Sequence, residues 1–185
     1  LLALHKAGAT VTPRCGLHVH HSINDFSEVH LRRLLLVWAA FESAIFAMVK
    51  SERAGNRYCE SVLSGGQFTD LFDSLLRMED IESTIVLLGR YRALNCVNFW
   101  RNGTVEMRLH HGTLRPASIK FWVAITQQII EMAKGERDFE ELEEVYSLSV
   151  DKKLTKLKKK LNLPSDTLEA LNKVVMARNP TVGGG

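Results

Sequence analysis

Two short stretches alternate apolar and polar residues with a period of two. In Cys-Gly-Leu-His-Val-His-His, residues 15–21, strand geometry puts His18 and His20 on one face and Leu17, Val19 and His21 on the other. Residues 104–113 repeat the pattern, with Glu106, Arg108 and His110 on one face and Val105, Met107 and Leu109 on the other. Helical spacing dominates elsewhere. Over residues 28–49, Leu31, Leu34, Leu35, Trp38, Phe41, Ile45, Phe46 and Val49 predict a helix apolar around most of its circumference, and so buried against a sheet. Arg32, Arg33, Glu42 and Ser43 interrupt it too often for a membrane span of about twenty apolar residues. Pro116 opens a second long helix over residues 117–134, with Ile119, Trp122, Val123, Ile125, Ile129, Ile130 and Met132 as its apolar surface, packed beside the first.

Turn residues join these elements. Gly8 caps a helix end at the start of the chain, which reads as an opening in the middle of a longer protein. Ser22, Asn24 and Asp25 supply turn and N-cap chemistry before the first long helix. Gly65 and Gly66 mark a turn, Thr69 or Asp70 caps a short helix to Leu76, and residues 78–83 form another short helical or connecting piece. Asn102-Gly103 between two extended runs predicts a tight hairpin pairing residues 94–100 with 104–110. Beyond Gly135, an acidic run at 136–144 precedes a basic run at 151–160 with apolar residues at Val150, Leu154, Leu157 and Leu161. Short amphipathic helices follow from that spacing, with another at 165–177 and a mobile tail. Hence two units: an α+β domain over residues 1–135, lacking its N-terminal part, and a helical extension over 136–185 suited to assembly or partner binding.

A chain of 185 residues, 45% hydrophobic, can bury a substantial core. A net charge of +3 with mixed signs argues for neither nucleic acid nor a membrane surface as partner. The lysines of 152–160 read as a solvated face balanced by the preceding acidic helix. Cys15, Cys59 and Cys96 are an odd set without a repeated spacing, which fits reduced thiols in the cytoplasm, and Cys15 reads as a core residue heading the central strand.

If both strands turn their apolar faces to one core, their polar faces form a floor carrying imidazoles, a carboxylate and a guanidinium, fit to hold a metal and a phosphate. The plainer alternative makes Glu106 and Arg108 cross-strand partners worth about 0.2–1 kcal/mol. Glu42 is either a paired helix residue or a carboxylate turned to the site. A zinc hydrolase built on His18 and His20 lacks a third ligand at recognisable spacing.

With these stretches in place, the sequence resembles the putative amidoligase family, a branch of the carboxylate–amine ligases that share a fold with glutamine synthetase and glutamate–cysteine ligase. The likeness rests on residues 15–21, Arg53 with Asn56 and Tyr58-Cys59, Arg90-Tyr91-Arg92-Ala93-Leu94-Asn95, and Thr104-Val105-Glu106-Met107-Arg108 followed by Gly112-Thr113-Leu114. It implies an antiparallel sheet with a polar active face and helices on the other. It also implies ATP and Mg²⁺ as cofactors, and an amide bond formed through an acyl phosphate from a carboxylate and an amine, on small molecules, peptides or proteins. Carried over by motif, Glu106 and His18 sit at metal, His18 and His20 at nucleotide, and Arg108 on a phosphoryl group. Arg53, Arg92 and Asn95 then surround substrate or phosphate. The fold usually opens with a strand bearing two glutamates two positions apart, and none precedes His18. The competing expectation is a binding or assembly module that keeps the fold without turnover.

Overall fold

The computed structural model describes residues 1–63, 68–76, 80–135 and 139–178, as a mixed α+β fold. In chain order its elements are α1 (Leu2–Lys6), β1 (Val19–Ser22), α2 (Glu28–Ala47), a 3-10 turn (Ser51–Arg53), α3 (Phe68–Leu76), α4 (Ile81–Leu88), β2 (Leu94–Asn95), α5 (Phe99–Asn102), β3 (Thr104–Met107), α6 (Pro116–Gly135), α7 (Phe139–Ser147), α8 (Val150–Lys160) and α9 (Ser165–Arg178). The turn expected at Gly65 and Gly66, residues 77–79 and the tail from 179 lie outside the described residues.

The sheet is small and antiparallel, in the order β1-β3-β2, so β3 is central and β1 an edge. Cys15 therefore does not head the central strand, and it is half-buried rather than in the core. Val19 pairs with Met107, His20 with Glu106 and His21 with Val105, while on the other side Asn95 pairs with Glu106. The alternation holds through this ladder. Val105 and Met107 are buried in the core, and His21 turns to α6, where its ring nitrogens meet Thr126 Oγ1 at 2.8 Å and Gln127 Oε1 at 3.0 Å.

The expected tight hairpin is not what joins β2 to β3. Residues 94 and 95 pair antiparallel as foreseen, but the chain then coils into α5, and Gly103, at φ 58°, ends that helical turn in the left-handed region. A Cβ on Gly103 would lie 1.6 Å from Asn24 Oδ1, so any other residue there is strained by the left-handed backbone and must displace the Asn24 side chain. The loop after β1 thus closes on this glycine, and Ile23 N donates to Gly103 O at 2.8 Å.

α2 is buried on nearly every side because helices, not the sheet, surround it: α6, α8, α7 and α3 are its main neighbours. Three strands of two to four residues cannot cover a 20-residue helix, which corrects the sheet-packed expectation. Its N-cap is Ser27, whose N–H is accepted by His30 Nδ1 at 3.1 Å; Ser22 ends β1, and Asn24 and Asp25 lie in the turn before the helix. Likewise Asp80 caps α4 by accepting from Glu82 N at 3.0 Å, and Thr69 and Asp70 lie inside the first turn of α3 rather than capping it. Gly8, at φ 72°, closes α1 as expected.

α7 and α8 lay Leu142, Val145, Leu154 and Leu157 into the core against α2. On their outer side Glu141 takes Lys156 at 2.9 Å and Lys160 at 2.7 Å, so the acidic and basic runs neutralise each other there. Among the described residues no helix is long and apolar enough to cross a membrane.

Candidate functional site

One rung of the sheet carries the chemistry. His20, Glu106 and Asn95 lie abreast on β1, β3 and β2, and His18 and Arg108 flank the rung at the next outward positions. Glu106 is the hub. Arg108 Nη1 donates to both its oxygens at 2.8 Å, Asn95 Nδ2 donates to Oε2 at 2.9 Å, His18 Nδ1 meets Oε1 at 2.8 Å and His20 Nε2 lies 3.6 Å from Oε1. The carboxylate and guanidinium are buried, whereas the side chains of His18 and His20 are 36% and 54% exposed, so the imidazoles form the accessible rim.

Burial opposes charge on Glu106, but the hydrogen bonds from Asn95 and Arg108, with the charge of Arg108, outweigh it and hold the carboxyl below its usual range. His18 is pushed down, first by burial and then by Arg108, so it stays neutral near pH 7 and donates from Nδ1 to Glu106. Its Nε2 points at Gly16, where a Cβ would stand only 3.0 Å away and 3.3 Å from Arg53 Nη2. Gly16 thus lets the imidazole and Arg53 approach one another.

Arg53 reaches the floor from beneath. Its Nε donates to Leu109 O and its Nη2 to Arg108 O, both at 2.8 Å. Successive carbonyls of a regular strand point in opposite directions, so one guanidinium binding both marks a bend at the end of β3. That bend takes His110 off the polar face on which alternation had placed it. Its ring stacks on His111 at 4.2 Å, packs on Trp122 of α6 at 5.2 Å, and is pushed down to about 4 chiefly by burial.

The structure therefore brings together His18, His20, Asn95, Glu106 and Arg108, with Arg53 behind them. Arg92 is engaged elsewhere: Nε donates to Leu88 O at 2.7 Å, and Nη1 donates to Ser61 O at 3.0 Å and pairs with Glu60 at 3.1 Å. It pins the loop before α3 to the start of β2. Tyr58 and Tyr91 belong to the motifs quoted from the sequence, which gave neither of them a role. Both are 45% exposed and meet edge to face at 5.4 Å, with Arg57 over the first ring, Arg90 over the second, and Arg108 5.7 Å from the second. The repeated dipeptide Arg57-Tyr58 and Arg90-Tyr91 was the signal that could have found them.

Magnesium needs several oxygen ligands in near-octahedral array. Glu106 is the one carboxylate in this cluster, and its oxygens already take Arg108, Asn95 and His18. Among the described residues no group of three or more His, Cys, Asp or Glu side chains could hold a metal ion, so these side chains do not fit magnesium. They suit an anion better: Arg108 faces the one carboxylate, Arg53 adds a second guanidinium bound only to backbone carbonyls, and Arg108 Nη2 and Arg53 Nη1 have no hydrogen-bond partner among the described residues.

The fold and this face define a mixed α+β protein with a charged antiparallel-sheet surface. A family model described as a putative amidoligase enzyme matches residues 1–130, most of the chain, and the chain belongs to that family. No curated protein and no solved structure matches it.

Proposed function

We propose that this chain is an ATP-dependent carboxylate–amine ligase of glutamine-synthetase-like fold, acting in the cytoplasm, with the Glu106 rung as part of its substrate floor. The observation that carries the reading is the single polar face holding His18, His20, Asn95, Glu106 and Arg108 within residues 1–130, which match the ligase family. Phosphoryl transfer to a carboxylate crowds anionic oxygens together, and preorganised cations lower the cost of that crowding. Arg108, fixed by Glu106 and by Tyr58 O at 3.0 Å, is such a cation and needs no reorganisation to meet an anionic oxygen. Neutral His18 adds a nitrogen at the rim, and the exposed edge-to-face Tyr58–Tyr91 pair offers aromatic surface for a nucleotide ring. The three free cysteines accord with a reducing compartment.

A second reading, a binding module without turnover, draws support from the saturation of Glu106 by Arg108, Asn95 and His18. The two readings separate in one assay. Phosphate release from ATP is measured with a panel of carboxylic acids and amines, using hydroxylamine to trap an acyl phosphate as a hydroxamate. A ligase gives acid-dependent hydroxamate, reduced by about 100-fold or more in Glu106→Gln, in line with loss of one preorganised electrostatic group. Equal silence of the wild type and the variant across the whole panel would sink the ligase reading.

A further inference from the structure

The strip of rings and guanidinium groups beside the Glu106 rung is built on a fixed frame. Its two halves, residues 57–58 and 90–91, are far apart in sequence and are joined by a parallel bridge between Glu60 and Arg92, with Glu60 N donating to Tyr91 O at 2.8 Å and Ala93 N to Glu60 O at 2.7 Å. The chain just after β3 ties on to both: Arg108 N donates to Ala93 O at 2.8 Å and Arg108 Nε to Tyr58 O at 3.0 Å. The frame thus sets three guanidinium groups around two rings. Arg57 lies 4.9 Å from the centre of Tyr58 and donates to its hydroxyl at 2.8 Å, while Arg90 and Arg108 lie 5.4 and 5.7 Å from the centre of Tyr91.

Glu106 answers the charge of Arg108 alone. Among the described residues neither Arg57 nor Arg90 has a carboxylate partner, and Glu60, three residues from Arg57, is taken by Arg92 at 3.1 Å. A guanidinium resting on an aromatic ring keeps its in-plane N–H fork free for a carboxylate. Like charges gathered on a rigid frame repel one another, and a partner rich in carboxylates relieves that repulsion. Arg90 and Arg108 share one ring, so two acidic side chains on the same side of an extended peptide, spaced by about 7 Å, can meet both.

We infer that the carboxylate substrate is an acidic peptide, bound in extended form along the Tyr58–Tyr91 strip, with flanking carboxylates on Arg57 and Arg90 and one carboxylate led to Arg108 at the rung. The activation of that carboxylate rests on the ligase reading; the binding does not. A nucleic acid would also bring negative charge to these groups, but it has no carboxylate to offer the rung.

The test is calorimetric titration of the full chain, without ATP, with a blocked oligoglutamate peptide, its oligoglutamine counterpart and a single-stranded oligonucleotide of equal charge. The glutamate peptide is expected to bind at least tenfold more tightly than either of the others. Arg57→Gln with Arg90→Gln, both at exposed positions, is expected to lose that preference and to melt as the wild type does. Lys152→Gln with Lys159→Gln, which removes the same charge from exposed positions of α8, is expected to keep it. Equal affinity for the two peptides, tighter binding of the oligonucleotide, full preference in the arginine variant or equal loss in the lysine variant overturns the inference. With ATP and hydroxylamine, the glutamate peptide is expected to give hydroxamate with a kcat/KM at least tenfold above that of free glutamate, and the arginine variant to raise KM more than it lowers kcat. Hydroxamate from small acids with no advantage to the peptide overturns the inference and leaves the ligase reading standing. Peptide binding without hydroxamate from any acid overturns the ligase reading, and with it the peptide's part as substrate.

Discussion

Replacing Arg108 by methionine tests the organisation of the rung most directly. The change keeps much of the volume and removes the guanidinium that donates to both Glu106 oxygens at 2.8 Å and to Tyr58 O at 3.0 Å. Both partners of this ion pair have side chains under a tenth exposed, so Glu106 is left charged and buried with Asn95, His18 and, at 3.6 Å, His20 beside it but no guanidinium. Breaking a buried pair from one side costs about 3–5 kcal/mol. For a chain of this length that corresponds to a fall in Tm of roughly 6–20 °C. The sign with pH is fixed too. In the wild type the depressed Glu106 carboxyl contributes stability above the unfolded carboxyl pKa of about 4.3, and this is lost as pH falls below it. In the variant the carboxyl is raised and takes up a proton on mild acidification, which relieves the burial of its charge. The stability gap between wild type and Arg108→Met, measured by urea unfolding, is therefore widest near pH 7 and narrows toward pH 4. Adding Glu106→Gln to the variant should recover part of the loss, with a coupling energy of about 1–3 kcal/mol. A loss under about 1 kcal/mol at pH 7, or a gap that does not narrow with acid, would refute the argument that this pair is a buried, fixed device.

Two further expectations are independent of that pair. His110 is pushed from 6.5 to about 4 by burial, so the unfolded chain takes up its proton first, and stability present above pH 6.5 drains away as pH falls toward 4. At about 1.4 kcal/mol per pH unit this amounts to about 3 kcal/mol, and His110→Phe should flatten that part of the urea-midpoint profile. Gly112→Ala should cost about 1–3 kcal/mol in a thermal melt, because its Cβ would stand 2.4 Å from Cys15 Cβ and 3.0 Å from Cys15 O, neither of which can swing aside. Cys15→Ala, which keeps that Cβ, should give no rescue.

The period-two alternation carried the rung itself: it put His18, His20, Glu106 and Arg108 on one face, and the ladder keeps them there. It failed at His110 because a side chain far away in sequence, Arg53, bends the strand by taking two successive carbonyls. Asn102-Gly103 misled for a related reason. A left-handed glycine serves a hairpin turn and a helix C-cap equally well, and here the helical turn of residues 99–102 wins, with Gly103 held against Asn24. The apolar circumference of α2 revealed its burial but not its neighbours, since a helix in a sheath of helices and one under a sheet show the same pattern. The inward position of Lys153 on α8 was hidden among lysines, although its place three residues after Val150 and one before Leu154 sets it on the apolar stripe of that helix.

The charge on the polar face decides which class of ligand it can take. A cation site would need carboxylates to spare, and the rung has one, with its oxygens committed to a guanidinium, an amide and an imidazole. Burial and Arg108 keep His18 neutral, so it adds a nitrogen without adding charge. Arg53 contributes a second guanidinium from below, and its bonds to backbone carbonyls offset none of its charge. One negative group against two positive ones, in a sheet surface whose interior is apolar, leaves a field that attracts anionic oxygens and resists a bare divalent ion. Glu106 thus acts through Arg108: it fixes where the guanidinium points, and an anion that reaches the rung meets a cation already held in place, with no side-chain freedom left to lose on binding.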